Sequence, residues 1–350
     1  MNFASDNVYG VDPRILQAMV DANSRLTDVS YCHDDGSREV EARLSQIFEK
    51  EVKAFLVVNG TGANSLALSA ICPTFGGVFC HEMSHINTDE CNCPELFMGG
   101  GKLITMPGKD AKLTPAVFAE KLSQFGHGEH GAKPCALSIT SATELGTVYT
   151  PAEIKALSDV AKPRGMKVHM DGARFANALA GSGAAPADLT WRAGVDVLSL
   201  GGTKNGCFGV EAVVIFDPAK AWEFELRRKR AGHLMSKHRF LSAQMEAYLA
   251  DGLWLRLAAQ ANRMADRLAQ ALAALPGGSL VHPREGNIVF ACFPRALHRR
   301  ATEAGGHYYL WPFDQSLDGA DEELLSARFV CSWSTIEADV DALLAVLRDA

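Results

Sequence analysis

Short runs of apolar residues recur along the chain as far as position 216, and helical or turn patterns lie between them. Nearly continuous apolar strands that alternate with helices are typical of a largely parallel sheet with helices on both faces. Two of the intervening segments, 115–125 and 151–161, are amphipathic and have proline near the start, as helices often do. The pattern therefore predicts an α/β fold. Its seven strands are expected at 54–59, 76–80, 102–107, 135–140, 167–171, 195–200 and 211–216.

The pattern of apolar and polar residues changes after position 216. Positions 241–275 are rich in Ala, Leu, Met and Arg and predict one or two long helices, which a Pro-Gly-Gly turn at 276–278 ends. The later elements are strands at 287–293, 307–313 and 326–333 and helices near 294–304 and 336–348. We therefore expect an N-terminal arm and helix at 1–22, a large domain at 23–240 and a small C-terminal α/β domain at 241–350.

Composition narrows the classes of protein that fit this pattern. A formal charge of −7 argues against a nucleic-acid partner, and no apolar run is long enough to cross a bilayer. The amino terminus is polar and lacks the apolar centre of a secretory leader. The nine cysteines form no regular framework. We therefore expect a cytoplasmic protein whose thiols are free.

Lys204 and Asp171 are the residues that point to chemistry. Lys204 lies in a turn of small residues directly after the run 195–200, and Asp171 ends the run 167–171. In an open α/β sheet both strand ends face the ligand crevice. A partly dehydrated lysine can be nucleophilic near neutral pH, and an acid beside it can hold a pyridinium nitrogen. Pyridoxal phosphate (PLP) needs both groups. Taken alone, a lysine after a strand is a surface residue most of the time, so the pairing with Asp171 carries the hypothesis.

The glycine-rich segment 59–64 follows the first strand and opens a helix. Glycines let a ligand approach the backbone closely, and the free N–H groups of a helix start favour a phosphate. The segment lacks the Gly-Lys-Ser/Thr of a P-loop and the third glycine of a dinucleotide fingerprint. It predicts a phosphate cup, and a tight turn without a ligand is the alternative.

Three further polar residues lie after or within other predicted strands. His85 could lie flat over a planar cofactor or serve as an acid or base, and a structural histidine is the alternative. Glu144 should face the same crevice unless it only opens a helix or loop. Arg328 lies within an apolar strand and needs a partner, which could be a substrate carboxylate or an internal acid.

A metal site is a competing hypothesis in one region. Its candidate ligands are Cys80, His81, His85, Cys91 and Cys93. The Cys-x-Cys spacing is unusual for zinc, and no second Cys-x-x-Cys occurs in the sequence. We therefore expect no metal.

Taken together, these residues resemble the PLP-dependent low-specificity L-threonine aldolases of the β-eliminating lyase group, which have the fold type I of the aspartate aminotransferases. The resemblance covers nearly the whole chain and keeps its order. The His-x-Asp-Gly-Ala-Arg motif at 169–174 is its most specific part, and the glycine segment is the least specific. The other matching positions are Ser5-Asp6-Asn7, Tyr31, Gly60 to Asn64, His85 with Glu90, Lys204, Asn287 and Arg328.

The resemblance implies roles for these positions. Lys204 would hold PLP as a Schiff base, Asp171 would pair with the pyridine nitrogen and His85 would stack on the ring. The residues expected around the phosphate are Gly60, Thr61 and Gly62. The residues expected at the substrate carboxylate are Ser5, Arg174 and Arg328. The family is dimeric or tetrameric with sites at subunit interfaces, so Tyr31 and a basic residue near Lys237 would come from a neighbouring subunit.

Two departures from the family pattern bear on the substrate. Many members read Asn-Thr-His-Asn-Gly where this chain has Glu144 as the central residue, so a histidine often assigned to the substrate hydroxyl is absent. Many also read Ser-Lys-Gly-Leu-Gly where Lys204 is followed by Asn-Gly. The general base therefore stays open between His85, Glu144 and a water.

The implied activity is retro-aldol cleavage of L-threonine or L-allo-threonine to glycine and an aldehyde. A preference for an aryl substrate such as phenylserine is an alternative within the same reaction. β-Elimination or transamination is an alternative within PLP enzymes. From a different class, the chain could be a non-catalytic metal- or thiol-based protein built on the cysteines between 80 and 93.

Overall fold

The computed structural model describes residues 1–348 and confirms the α/β fold. The strands of the larger sheet are β1 (Lys53–Val57), β2 (Gly76–His81), β3 (Lys102–Met106), β4 (Lys133–Thr140), β5 (Lys167–Gly172), β6 (Val197–Gly201) and β7 (Glu211–Ile215). Their order is β1-β7-β6-β5-β4-β2-β3. The strands from β6 to β3 are parallel, whereas β7 is antiparallel to both neighbours. All seven predicted strands are therefore confirmed.

Helices cover the sheet and connect its strands. Those within the described residues are α1 (Pro13–Ser24), α2 (Asp35–Ile47), α3 (Gly60–Ile71), α4 (His85–Thr88), α5 (Cys93–Phe97), α6 (Pro115–Ser123), α7 (Pro151–Ala161), α8 (Phe175–Ser182), α9 (Trp222–Arg230), α10 (Arg239–Leu249), α11 (Leu253–Ala273), α12 (Arg295–Glu303) and α13 (Glu337–Arg348). The sequence pattern did not predict α2, because Val40 and Leu44 are its only fully buried residues and the rest of the helix is largely polar.

A second, antiparallel sheet lies in the last third of the chain. Its strands are β8 (Ser279–Leu280), β9 (Ile288–Pro294), β10 (Tyr309–Leu310) and β11 (Leu324–Val330), in the order β10-β11-β9-β8. Only β8 was not predicted, and its two residues are both exposed. The hydrophobic core beside this sheet includes Phe293, Phe329 and Leu268 of α11.

The N-terminal arm is part of that second core. The ring of Phe3 is completely buried in it, 6.5 Å from the ring of Phe329. The backbone of Phe3 donates to the carbonyl of His307 at 2.7 Å, and its carbonyl accepts from the N–H of Val330 at 2.8 Å. The arm therefore adds to the small sheet before the chain enters α1.

Helices α10 and α11 contribute residues to the two hydrophobic cores. Leu241 and Met245 of α10 and Trp254 of α11 belong to the core of the large sheet, whereas Met264 and Leu268 of α11 belong to the core of the small sheet. The division at 240 and 241 stays a prediction, and positions 349 and 350 of the predicted small domain lie outside the described residues.

The expectation that all thiols are free is wrong at one pair. Cys72, at the end of α3, forms a disulfide with Cys135 of β4, 63 positions later. The two residues meet because β2 follows α3 and pairs with β4, which spacing along the sequence does not reveal. Within residues 1–348 no helix is both long and apolar enough to cross a membrane.

Candidate active site

The carboxyl ends of β4, β5 and β6 converge with the start of α3 on one enclosed cavity. The residues from the sequence prediction that line it are Gly60, His85, Glu144, Asp171, Arg174 and Lys204. The structure adds Asn64, Glu90 and Thr140 to the lining. This placement follows from topology, because neighbouring parallel strands present their carboxyl ends at the same edge of a sheet.

Lys204 lies in a single turn of 3-10 helix, Thr203–Asn205, directly after β6. Glycine is required at Gly201, because a Cβ there would lie 2.2 Å from the carbonyl oxygen of Ala173. Below the turn, Glu211 Oε2 accepts a hydrogen bond from the N–H of Gly202 at 2.8 Å. Burial lowers the pKa of Lys204, and the positive charge of Arg174 adds to this effect. A lower pKa favours the neutral form of the amine, which is the nucleophilic form.

Asp171, near the end of β5, is held by donors on both oxygens. Oδ1 accepts from the N–H of Ala173 at 3.0 Å, and Oδ2 accepts from Nδ2 of Asn64 at 2.8 Å. Its exposed fraction is 3%. These contacts fix the carboxylate in one orientation inside the cavity wall.

His85 begins α4 and pairs with a buried acid. Its Nδ1 lies 2.8 Å from Oε1 of Glu90, and this hydrogen bond raises the pKa of His85. The bond leaves the other ring nitrogen, Nε2, for a ligand. The sequence motif contained Glu90, but only the structure shows that its carboxylate orients the imidazole.

Glu144 lies in the loop after β4 and touches the start of α4. Its Oε1 accepts from the N–H of His85 and from Oγ1 of Thr140, both at 2.9 Å. Its Oε2 is buried and has no hydrogen-bond partner among the described residues. Burial raises the pKa of Glu144 to about 7. The side chain can therefore exchange a proton near neutral pH.

The predicted phosphate cup is the first turn of α3. Asn59 caps the helix, because its Oδ1 accepts from the N–H of Gly62 at 2.8 Å. The first N–H groups of a helix have no acceptor within the helix, so those of Gly60 and Thr61 are available to a ligand. They lie at the positive end of the helix dipole. A Cβ at Gly62 would lie 2.2 Å from the ring of His233, so glycine also lets this histidine pack on the cup. Sequence reasoning missed His233, which no motif marks.

Arg174 is held by an acid that the sequence analysis did not assign. Its Nε and Nη2 donate to the two oxygens of Asp6 at 2.7 and 2.8 Å, and Asn287 Nδ2 donates to the same carboxylate at 3.1 Å. Asp6 belongs to the Ser-Asp-Asn tripeptide and is 3% exposed. Two donors of the guanidinium are thus used within the chain, which leaves Nη1 for a substrate.

Arg328, in β11, has no ion pair with an acid among the described residues. Its closest polar contact is Nη1 to the carbonyl oxygen of Ala4, at 3.4 Å. Burial lowers the pKa of Arg328 to about 10, and the nearby charge of Arg174 contributes. The neighbouring Ser5 uses its Oγ to accept from the N–H of Asn7 at 3.1 Å, so its hydroxyl proton stays free to donate.

Five predicted site residues do not line this cavity: Ser5, Tyr31, Thr61, Gly62 and Arg328. Tyr31 is 40% exposed, has a φ of +57° and lies on a different part of the surface, with Lys229 Nζ 4.6 Å from its ring. Among residues 1–348 no three His, Cys, Asp or Glu side chains are grouped so that they could hold a metal ion. The cysteines and histidines between 80 and 93 are therefore not brought together as a zinc site.

The groups that line the cavity fit PLP. They offer an amine, a fixed carboxylate, a helix start and an imidazole, as the cofactor requires. Three buried polar atoms of the lining lack hydrogen-bond partners among the described residues: Asn64 Oδ1, Glu90 Oε2 and Glu144 Oε2. Because buried polar atoms are normally hydrogen-bonded, these atoms indicate a cavity shaped for a polar ligand.

Comparison with known proteins agrees with this composition of the site. The profile of the β-eliminating lyase family matches residues 2–294. Low specificity L-threonine aldolases of Pseudomonas sp. and Pseudomonas aeruginosa are 42% and 41% identical over 346 and 347 residues, 99% of this chain and 96% of each relative. The structure of a threonine aldolase from Leishmania major matches with a TM-score of 0.91 at 27% identity, covering 99% of this chain and 98% of that one. The chain therefore belongs to the β-eliminating lyase family and is a PLP-dependent lyase.

Proposed function

We propose that the protein is an aldolase that cleaves L-threonine, L-allo-threonine or a related β-hydroxy-α-amino acid to glycine and an aldehyde. The observation that carries the proposal is the shared cavity of Lys204, Asp171 and Arg174. Arg328 lies close enough to Arg174 to feel its charge and has no acid partner among the described residues. The names of the Pseudomonas and Leishmania relatives point to the same reaction.

PLP, when bound, supplies an electron sink for the two electrons of the broken Cα–Cβ bond. Lys204 would carry the cofactor through its Nζ, since burial keeps a share of this amine neutral. Asp171 would hold a proton on the pyridine nitrogen, because its carboxylate is fixed on both oxygens. The residues of the cup, Gly60 and Thr61, would donate backbone N–H groups to the phosphate.

The substrate carboxylate would lie between Arg328, Nη1 of Arg174 and the hydroxyl of Ser5. A guanidinium can grip a carboxylate through two parallel hydrogen bonds, which fixes orientation as well as position. With the carboxylate held, the Cα–Cβ bond can be directed across the plane of the ring, and such positioning supplies a large part of the rate.

Removal of the β-hydroxyl proton needs a base near Cβ. The side-chain candidates are Glu144 Oε2, which has no partner among the described residues, and His85 Nε2, and a bound water is the third candidate. The pKa of both groups is raised, that of Glu144 to about 7 by burial and that of His85 by its hydrogen bond to Glu90, so the base stays open between them. The group that takes the proton would also return one as the product leaves.

The range of substrates and the assembly belong to the same proposal. A methyl and an aryl group at Cβ are both retained as candidates, because the loop with Glu144 departs from the histidine pattern of many family members. The family resemblance supports a homodimer or homotetramer in which Tyr31 and a basic residue near Lys237 reach the site of a neighbouring subunit. The cytoplasmic location stays a prediction.

The test is product release from L-threonine and L-phenylserine, measured side by side with PLP-loaded protein. Equal amounts of glycine and aldehyde are the expected result, and the ratio of the two kcat/KM values then names the substrate class. Pyruvate or another keto acid in place of glycine would overturn the aldolase and favour elimination or transamination.

A further inference from the structure

Asn64 lies at the crossing of a hydrogen-bond network that joins Asp171, Glu90 and His85. Its Nδ2 donates to Oδ2 of Asp171 at 2.8 Å and to Oε1 of Glu90 at 2.9 Å. The same oxygen of Glu90 lies 2.8 Å from Nδ1 of His85. One amide nitrogen therefore connects the carboxylate that would face the pyridine nitrogen with the imidazole that would lie on the ring.

The network brings two acids close together in a buried place. Asn64 is 2% exposed, and Asp171 and Glu90 are each 3% exposed. Two carboxylates within two hydrogen-bond lengths of each other repel when both are ionised. An amide has two N–H donors and no charge, so it can serve one oxygen of each acid without adding charge of its own. A carboxylate, a hydroxyl or an alkyl group at this position could not do both.

The position of Asn64 along α3 adds a second constraint. The helix begins at Gly60, where its N–H groups form the predicted phosphate cup. Asn64 follows about 6 Å further along the axis, one turn into the helix. A single rigid element therefore carries both the cup and the amide, and this fixes their separation.

We propose that Asn64 is a positioning residue for the cofactor. Its amide holds the Asp171 carboxylate in place for the pyridine nitrogen and connects it to the Glu90–His85 pair. The carboxylate that would pair with the ring nitrogen and the imidazole that would lie on the ring face are thereby positioned together. The inference rests on the proposed function only as far as PLP binding. It does not depend on which amino acid the enzyme cleaves.

The experiment compares Asn64→Leu and Asn64→Asp as holoenzymes. The measured quantities are the dissociation constant of PLP and the visible circular dichroism of the bound cofactor. Loss of both donors in Asn64→Leu should weaken PLP binding by about tenfold or more. Asn64→Asp should weaken it further, because the variant loses the same donors and adds a third carboxylate.

The order of the two variants separates this role from packing. Asp has nearly the shape of Asn, whereas Leu does not, so a packing role would leave Asn64→Asp close to the parent and damage Asn64→Leu more. That order, or parent-like PLP affinity in both variants, would overturn the inference. If Asn64→Leu does not fold, Asn64→Asp decides alone. Hydrogen-bond energies predict about a tenfold loss of PLP affinity, so a PLP affinity within about twofold of the parent would contradict the inference.

Asn262→Leu is the matched control. Asn262 is also a helical, buried asparagine, 6% exposed, and its Nδ2 donates to the carbonyl oxygen of Asn177 at 2.9 Å, away from the cavity. It should lower the melting temperature without changing PLP affinity or the visible circular dichroism. A parent protein that binds PLP but releases no glycine would refute the proposed function and leave the test of Asn64 intact.

Discussion

The two ends of the cavity are built differently. At the end that would receive the pyridine nitrogen, Asp171, Asn64, Glu90 and His85 contact one another at 2.8 to 2.9 Å. On the side that would receive the amino acid, Arg328, which is not part of the cavity lining, has one polar contact at 3.4 Å, and Glu144 Oε2 has none among the described residues. The side chains of the first end bond to one another, although Asn64 Oδ1 and Glu90 Oε2 there also lack partners among the described residues. The second side has fewer internal contacts and would be completed by a ligand, which is how binding energy becomes available for orientation.

Electrostatics follow the same division. At the first end the hydrogen bond to Glu90, whose carboxylate accepts it, is the largest influence on His85 and raises its pKa. At the second end burial dominates: it lowers the pKa of Arg328 to about 10 and raises that of Glu144 to about 7. Changes at the first end should therefore alter the cofactor, and changes at the second should alter the amino acid or the response to pH.

Lys204 lies between the two ends, and its loss should have the largest effect. Without the amine, Lys204→Ala should lose turnover by at least about 1000-fold, as expected when a nucleophile is removed. Glycine release and the visible absorption of the holoenzyme measure the change. Lys167→Ala is the control, because Lys167 only pairs with Asp196 at 3.1 Å outside the cavity. Full activity of Lys204→Ala would refute the proposed site.

Arg328→Ala should separate the two ends most clearly. Removing a buried charge that binds a charged partner costs about 2–5 kcal/mol, so KM for the amino acid should rise by about 100-fold, with little change in kcat or in PLP affinity. Steady-state kinetics measure the split between KM and kcat. Arg267→Ala, which breaks an exposed pair with Asp341, should change neither constant. An unchanged KM in Arg328→Ala would exclude the carboxylate role.

Glu144→Gln tests the second end through pH. The pKa of Glu144 is raised from 4.5 to about 7, so the folded protein binds this proton more tightly than the unfolded chain does. The resulting stability is complete below pH 4.5 and is lost as the pH rises through 7. Between pH 5 and pH 8 the parent should lose about 2 kcal/mol more of its free energy of unfolding than Glu144→Gln does, because only the parent carries the titrating carboxyl group. Urea denaturation at both pH values measures the difference, and parallel losses would place Glu144 in a more polar environment.

Ser5→Ala should have the smallest effect. One neutral hydrogen bond is worth about 1 kcal/mol, so its loss should raise KM by about fivefold and leave PLP affinity unchanged. KM at saturating cofactor gives the answer. A KM equal to that of the parent would restrict Ser5 to its contact with the N–H of Asn7.

Periodicity predicted the sheet because its strands are buried on both faces, and apolar runs of that kind are visible in a single sequence. The same reasoning placed Lys204 and Asp171 at one edge, since strand ends in a parallel sheet lie together. The structure brings both residues into one cavity. The largely polar helix α2 and the two-residue strand β8 lacked such a signal.

Partners that are distant in sequence could not be predicted in this way. Asp6 and Arg174 are 168 positions apart, and Asn64 and Asp171 are 107 apart. Each pair forms because two elements pack together, and neither composition nor spacing records which side chains then face each other. The bridging amide was visible in the sequence only as the end of a glycine segment.

The N-terminal arm makes the small sheet and the substrate end interdependent. Phe3 is part of the small core, and three residues later Asp6 holds Arg174 beside the cavity. A substitution that shifts Phe3 would carry Asp6 with it and release the guanidinium, far from the mutated position. With Arg174 in its proposed role at the substrate carboxylate, substitutions in the small core are expected to alter substrate binding as well as stability.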